Sequence, residues 1–196
     1  MKPLTQLIEA ALFAANRPIT VEELQTLEPE SALADVRTAL EELREHYDFD
    51  GHAVEVAEIA GGYQILTRRA FAEAIERAQF AVRTPRLTTA AMETLAVIAY
   101  RQPVGRAEIE EIRGVSAGGV LRSLQERALI EVVGRSEGMG RPLLYGTTPT
   151  FLELLGLRDL AELPRTEEFS IALHPHKPEA SDDGQGDAAA SVVAES

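Results

Sequence analysis

The chain has 196 residues and a net charge of −13, from 19 Lys and Arg against 32 Asp and Glu, with neither Cys nor Trp. Without thiols, disulfides and thiolate-bound metals are excluded and a cytoplasmic location is the default expectation. No apolar run approaches the ~20 residues that span a bilayer, and Met1-Lys2-Pro3-Leu4 does not open a signal peptide, so no membrane association is expected.

Taken in order, Leu4, Leu7, Ile8, Ala11 and Leu12 recur at i, i+3, i+4, i+7 and i+8. That spacing predicts a first helix whose apolar stripe, Leu4, Leu7, Ile8 and Leu12, is core. Asn16-Arg17-Pro18 ends it. Thr20-Val21-Glu22-Glu23 is a capping box for a short second helix through Leu24 and Leu27, broken by Pro29. Ser31 is the expected N-cap of a third helix with Leu33, Val36, Leu40, Leu43 and Tyr47 on its apolar face. Past the turn Asp48-Phe49-Asp50-Gly51, two segments alternate like strands, Val54-Glu55-Val56 and Tyr63-Gln64-Ile65, around a Gly61-Gly62 hairpin loop. A helix from Phe71 to about Phe80 closes the unit.

The same order returns at a shift of 85 residues. Leu7, Ala11, Leu12 and Pro18 fall on Met92, Ala96, Val97 and Pro103, while Ile19, Glu23 and Leu24 fall on Val104, Glu108 and Ile109. Strands at Ile130-Val133 and Leu143-Tyr145 flank a glycine-containing loop, Ser136 to Pro142, and Phe151, Leu152 and Leu155 stand where Phe71 and Ile75 stood. Self-similarity on this scale means a duplicated module. Helix–helix–helix–hairpin is the order of a winged helix, so the expected fold is mostly α with small β-hairpins (α+β), as two tandem winged-helix domains at 1–80 and 88–164. Residues 81–87 are the expected linker. Residues 165–196, with Ser181-Asp182-Asp183-Gly184 and a short Ala run, read as a disordered acidic tail.

Charge is unevenly spread: residues 1–84 hold 8 basic and 15 acidic groups, residues 85–164 hold 9 and 10, and residues 165–196 hold 2 and 7. The acidic first half repels phosphate backbones, and the nearly neutral second domain is left with at most weak DNA binding.

The second module carries a family resemblance. Leu95-Ala96-Val97-Ile98-Ala99-Tyr100-Arg101-Gln102-Pro103-Val104 leads to Arg106-Ala107-Glu108-Ile109-Glu110-Glu111-Ile112-Arg113-Gly114-Val115. Val120-Leu121-Arg122-Ser123-Leu124, Val133-Gly134-Arg135 and Gly140-Arg141-Pro142-Leu143-Leu144-Tyr145-Gly146-Thr147-Thr148 follow. This succession resembles the segregation and condensation protein B family along the whole second domain, and the first domain agrees more loosely. Gly105 stands where the family usually has Thr, and Gly118-Gly119 where it more often has polar residues. The resemblance implies a homodimer joined through first domains. It also implies binding to a kleisin (segregation and condensation protein A), and through it to an SMC ATPase, in nucleoid-associated complexes that compact and separate chromosomes. Any ATP chemistry would then be the ATPase's. The rival reading is a winged-helix DNA-binding transcriptional regulator.

No catalytic, cofactor or metal residue is expected. Gly138-Met139-Gly140-Arg141 lacks the Gly-x4-Gly-Lys-Ser/Thr of a P-loop and opens a strand instead of a helix, as a wing turn does. His174-Pro175-His176 has no convergent partners, and His46 and His52 suit solvated or capping roles. Ser116, Ser123 and the four His have no pairing context, and Glu108, Glu110 and Glu111 read as a solvated face. On the third helix of the first module, Asp35, Glu41, Glu42 and Glu45 outweigh Arg37 and Arg44, which favours a protein partner over DNA. In the second, Arg122, Arg127 and Arg135, with Arg141 at the wing, can touch phosphate unless Glu126, Glu131 and Glu137 engage them. Tyr100, Arg101, Arg113, Arg141 and Tyr145 are the expected protein-contact residues. Phe13, Phe71 and Phe80 cannot all face one small core, so at least one belongs in a seam between copies.

Overall fold

In the first unit, α1 (Pro3–Ala14) starts with a proline, whose missing N–H is lost at no cost in the first turn. The computed structural model describes residues 1–78, 86–137 and 140–165. Most of the expected linker, nearly all of the expected tail, and Phe80, Gly138, Met139, His174 and His176 lie outside those residues. Thr5, Ile8 and Leu12 make the buried stripe of α1. Leu7, expected in the core, is 41% exposed. It sits one residue from Ile8 and therefore about 100° around the axis. The buried Thr5 hydroxyl is satisfied by donating to the Glu42 carboxylate at 3.1 Å.

The capping box of α2 (Val21–Gln25) forms as expected: the Glu23 N–H donates to Thr20 Oγ1 at 3.2 Å and the Thr20 N–H to the Glu23 carboxylate at 3.0 Å. Arg17 forks onto the same carboxylate at 2.7 and 3.1 Å. The Arg17 guanidinium first, then the Thr20 amide, hold the Glu23 carboxyl down to about 2. The third helix, α3 (Leu33–Phe49), is capped by other means than expected. Ala32 is its N-cap and donates its N–H to Asp35 at 3.0 Å, while the Ser31 hydroxyl turns back to Glu28. Val36, Leu40, Leu43 and Tyr47 are buried as expected, but Leu33 in the first turn is exposed. The Tyr47 hydroxyl donates to Glu9 at 2.7 Å; burial and that carboxylate push the phenol up to about 12.

Strands β1 (Val54–Ile59) and β2 (Gly62–Thr67) pair antiparallel from Val54↔Thr67 to Ile59↔Gly62. Ala60 and Gly61, both at left-handed φ (51° and 73°), make a two-residue turn that matches strand twist. Gly62 thus belongs to the strand and not to the loop. A Cβ there would come within 3.0 Å of the Ile19 backbone, because Ile19 and Tyr63 exchange two backbone hydrogen bonds at 2.9 and 2.8 Å. A 3-10 turn at Arg69–Phe71 and α4 (Ala72–Arg77) follow.

The second unit repeats the plan: α5 (Thr89–Arg101), β3 (Val104–Gly105), α6 (Arg106–Arg113), α7 (Gly118–Glu126), β4 (Ile130–Arg135), β5 (Leu143–Thr147) and α8 (Pro149–Leu155). The sheet order is β3-β5-β4, all antiparallel, with Val104↔Tyr145 and Ile130↔Thr147 in register and a bulge between Val132 and Gly134. The Val104–Tyr145 pair is the counterpart of Ile19–Tyr63, so the order repeated in the sequence is matched in strand pairing. Leu95, Ile98, Val104, Ile109, Leu124 and Ile130 are almost wholly buried and fill this second core. Gly105 caps α6 without a side-chain bond, and Gly114 ends it at φ 68°. The Gln102 side chain accepts from the Thr147 N–H at 2.7 Å and donates to Thr147 Oγ1 at 3.0 Å, fastening the end of α5 to β5.

Candidate partner-binding surfaces

A helix lying on a core normally turns charges to solvent. On α1 the outward residues are Gln6, Leu7, Ala10, Phe13 and Ala14, all exposed and none charged. Phe13 is the extreme case at 82% exposed. By contrast, α3 turns Arg37, Glu41, Arg44, Glu45 and Asp48 outward, the ordinary pattern. The sequence reading named Phe13 together with Phe71 and Phe80 as more than one small core can hold, and Phe13 lies outside the core. The reading missed Leu7 as the companion of Phe13, and it missed Phe49, which is 92% exposed at the end of α3. Phe71 is also exposed, and Phe80 lies outside the described residues.

The equivalent helix of the second unit has its own apolar ridge. Met92, Ala96 and Tyr100 are exposed and spaced by four, so they line up along one side of α5. Arg101 ends the helix, also exposed. Ile112 and Val115, at and just beyond the end of α6, and Val132 and Val133 on β4 add further exposed apolar area in this unit. Of these, Tyr100 and Arg101 were among the expected contacts. The signal for Met92 and Ala96 is present in their spacing relative to Tyr100.

Two expected contact residues are placed inward. The Arg113 side chain is 7% exposed and its Nη2 donates to Glu93 of α5 at 3.0 Å. Its buried Nε–H finds no acceptor among the described residues. Arg113 braces α6 against α5, and its guanidinium offers no open surface. Tyr145 is 8% exposed, held in the core by its central strand. Arg141 is exposed at the wing with φ 43°, and its carbonyl accepts from Arg135 Nη1 at 3.4 Å.

The arginines considered for phosphate are on the surface. Arg122 is 83% exposed and pairs with Glu126 one turn on, at 3.2 Å. That is the pairing expected of a solvated helix face, worth at most about 0.5 kcal/mol. Arg127 is the C-cap of α7 and Arg135 the last residue of β4. Each exposed arginine of α7 thus has an acidic residue within one turn in sequence, and the helix has no unbroken basic face of the kind that tracks a phosphate backbone.

A family model described as segregation and condensation complex subunit ScpB matches residues 6–166. Segregation and condensation protein B of Moorella thermoacetica is 46% identical over 168 residues, 84% of each chain. Among solved structures, ScpB from Mycobacterium tuberculosis is 34% identical, covering 79% of this chain and 95% of that one at a TM-score of 0.37. A ScpB N-terminal domain dimer solved with a ScpA peptide is 19% identical, covering 39% of this chain and 94% of that one at a TM-score of 0.36.

Proposed function

The chain belongs to the segregation and condensation complex subunit ScpB family, and from that premise we propose that it is a non-catalytic, homodimeric subunit that binds the kleisin of a bacterial SMC complex. In this reading residues 1–80 join two copies, and residues 88–164 present the kleisin surface. The protein then works in the cytoplasm on the nucleoid, condensing and segregating chromosomes without chemistry of its own. Among the described residues no helix is long and apolar enough to cross a membrane.

The observation that carries the proposal is the uncharged outward face of α1, with Phe13 at its centre. Covering Leu7 and Phe13 contributes about 25 cal/mol per Å² of apolar area removed from water, a gain available only to an assembly. The ridge of Met92, Ala96 and Tyr100, with Arg101 beside it, supports a second contact of mixed character, since Tyr and Arg commonly anchor interfaces.

Calorimetric titration of the full chain with the cognate kleisin, at low and high salt, tests the reading, with sedimentation giving the oligomeric state. Tight, salt-tolerant binding by a dimer is expected. Failure of two folded partners to associate sinks the kleisin reading. Affinity for duplex DNA that falls steeply with salt, and is lost on Arg122→Glu with Arg127→Glu, would put the transcription-regulator reading in its place.

A further inference from the structure

The last turn of α3 and the loop after it bring three metal-ligating side chains together. His46, Asp50 and His52 each offer a ligand atom, and these atoms lie within 4.8 Å of one another. His46 Nδ1 and Asp50 Oδ2 are already 3.0 Å apart. Two ligands on a tetrahedral zinc, each at about 2.0–2.1 Å, stand roughly 3.3 Å from one another. The His46–Asp50 separation therefore matches one edge of such a site, and His52 closes in by side-chain rotation on an exposed loop. We propose that His46, Asp50 and His52 form a binding site for a borderline transition-metal dication of the zinc class, with solvent completing the coordination.

Three features of the surroundings favour a cation here. Two imidazoles and one carboxylate are a donor set for Zn²⁺ and its neighbours, not for Mg²⁺ or Ca²⁺, which take oxygen. The site sits at the C-terminal end of a 17-residue helix, the negative end of the helix dipole. Nearby charge is net negative as well: Arg68 is shared between Asp48 at 2.5 Å and Glu55 at 3.2 Å, so one cation faces two carboxylates before Asp50 is counted.

The loop is held in the required shape by groups that are not ligands. Gly51 takes φ 65°, which reverses the chain between Asp50 and His52. Arg68 Nε donates to the His52 carbonyl at 2.8 Å and its Nη2 to the Tyr47 carbonyl at 3.2 Å. The His52 ring lies against Tyr47 at 4.9 Å and His46 at 5.4 Å between centroids. Asp48 is engaged by Arg68, so it is not the fourth ligand. On binding, the metal takes the place of a proton on each ligating nitrogen that carries one, and that proton leaves to solvent or to the other ring nitrogen. A bound ion would fasten the end of α3 to the entry of β1.

The test is a zinc titration of the full chain by calorimetry in a non-chelating buffer. One saturable site per chain is expected, with affinity reduced at least tenfold by His46→Gln or His52→Gln and abolished by the pair. A chain with His174→Gln and His176→Gln keeps the site, which separates it from the histidines near the C-terminus. Asp50→Asn, nearly isosteric, also weakens binding at least tenfold. Wild-type affinity in the His46/His52 double variant, or an intact chain without saturable zinc binding below about 1 mM, overturns the proposal. So does unchanged affinity in Asp50→Asn, should the Gln variants misfold.

Discussion

The third helices of the two units, α3 and α7, are built to one plan and dressed differently. Inward, Val36, Leu40 and Leu43 do for the first core what Leu121 and Leu124 do for the second. Outward, α3 runs for 17 residues, dense with Glu and Asp, whereas α7 has nine residues, opens on Gly118-Gly119 and carries Arg122 toward Glu126. The hairpins diverge in the same way: a two-residue turn at Ala60-Gly61 in one, a longer wing with Arg141 at positive φ in the other. Topology follows from the buried positions, which the two cores share. What each unit meets follows from the exposed ones, which differ.

The strongest way to break this comparison is through the cores. Leu124→Ala should cost the second unit about 2–5 kcal/mol, as should Leu43→Ala in the first, each residue being fully buried. Chemical denaturation measures both, and a Leu124→Ala chain as stable as the parent would remove that residue from the core. The outward surfaces come next. Phe13→Glu should weaken self-association about a hundredfold, near 2.7 kcal/mol, in sedimentation equilibrium, with the fold retained. An unchanged dimer would move the seam off α1.

Smaller effects sharpen the contrast within α7. Nothing lies within 4 Å of a Cβ added at Gly119, so Gly119→Ala should raise stability by about 0.5–1 kcal/mol by restricting the unfolded chain. At Gly118 the same Cβ meets the Arg106 guanidinium at 3.1 Å, and the gain should be reduced or lost. Equal gains at both positions would contradict the packing described. The mildest effect is in acid. Glu23 has its folded-state carboxyl at about 2 against an ordinary 4.5, so its contribution is present above pH 4.5 and is lost as pH falls towards 2. A Glu23→Gln chain should therefore lose less stability than the parent across that window in acid-unfolding curves.

Much of the fold was legible because buried faces impose a period. The stripes of α1 and α3, the Thr20–Glu23 box and all four long strands follow from local spacing. Failures arose where two local solutions compete or where the partner is distant. Ser31 and Asp35 both suit capping; Asp35 reaches back to Ala32, and nothing in the sequence ranks them. Strand β3 has two residues, too few for any period, and the sequence reading placed no strand there even though Val104 aligned with Ile19. Arg113 looked available because charged residues usually face water, but its partner Glu93 is 20 positions away on another helix. His46 and His52 were read singly, since their approach depends on the left-handed turn at Gly51. The candidate surfaces were half legible: Phe13 and Tyr100 were flagged, while Leu7, Met92 and Ala96 needed the exposed side of each helix to be known.

The clamp between Gln102 and Thr147 has a mechanical consequence. One amide, at the residue where α5 ends, grips both the backbone and the hydroxyl of the last residue of β5. There is no slack beside it: a Cβ on Gly146 would stand 2.7 Å from Val133 Cγ1 and 3.0 Å from the Gln102 oxygen. The end of α5 and the end of β5 are therefore pinned at one point, and a side chain larger than hydrogen at Gly146 would have to displace either Val133 or the Gln102 amide that holds them together.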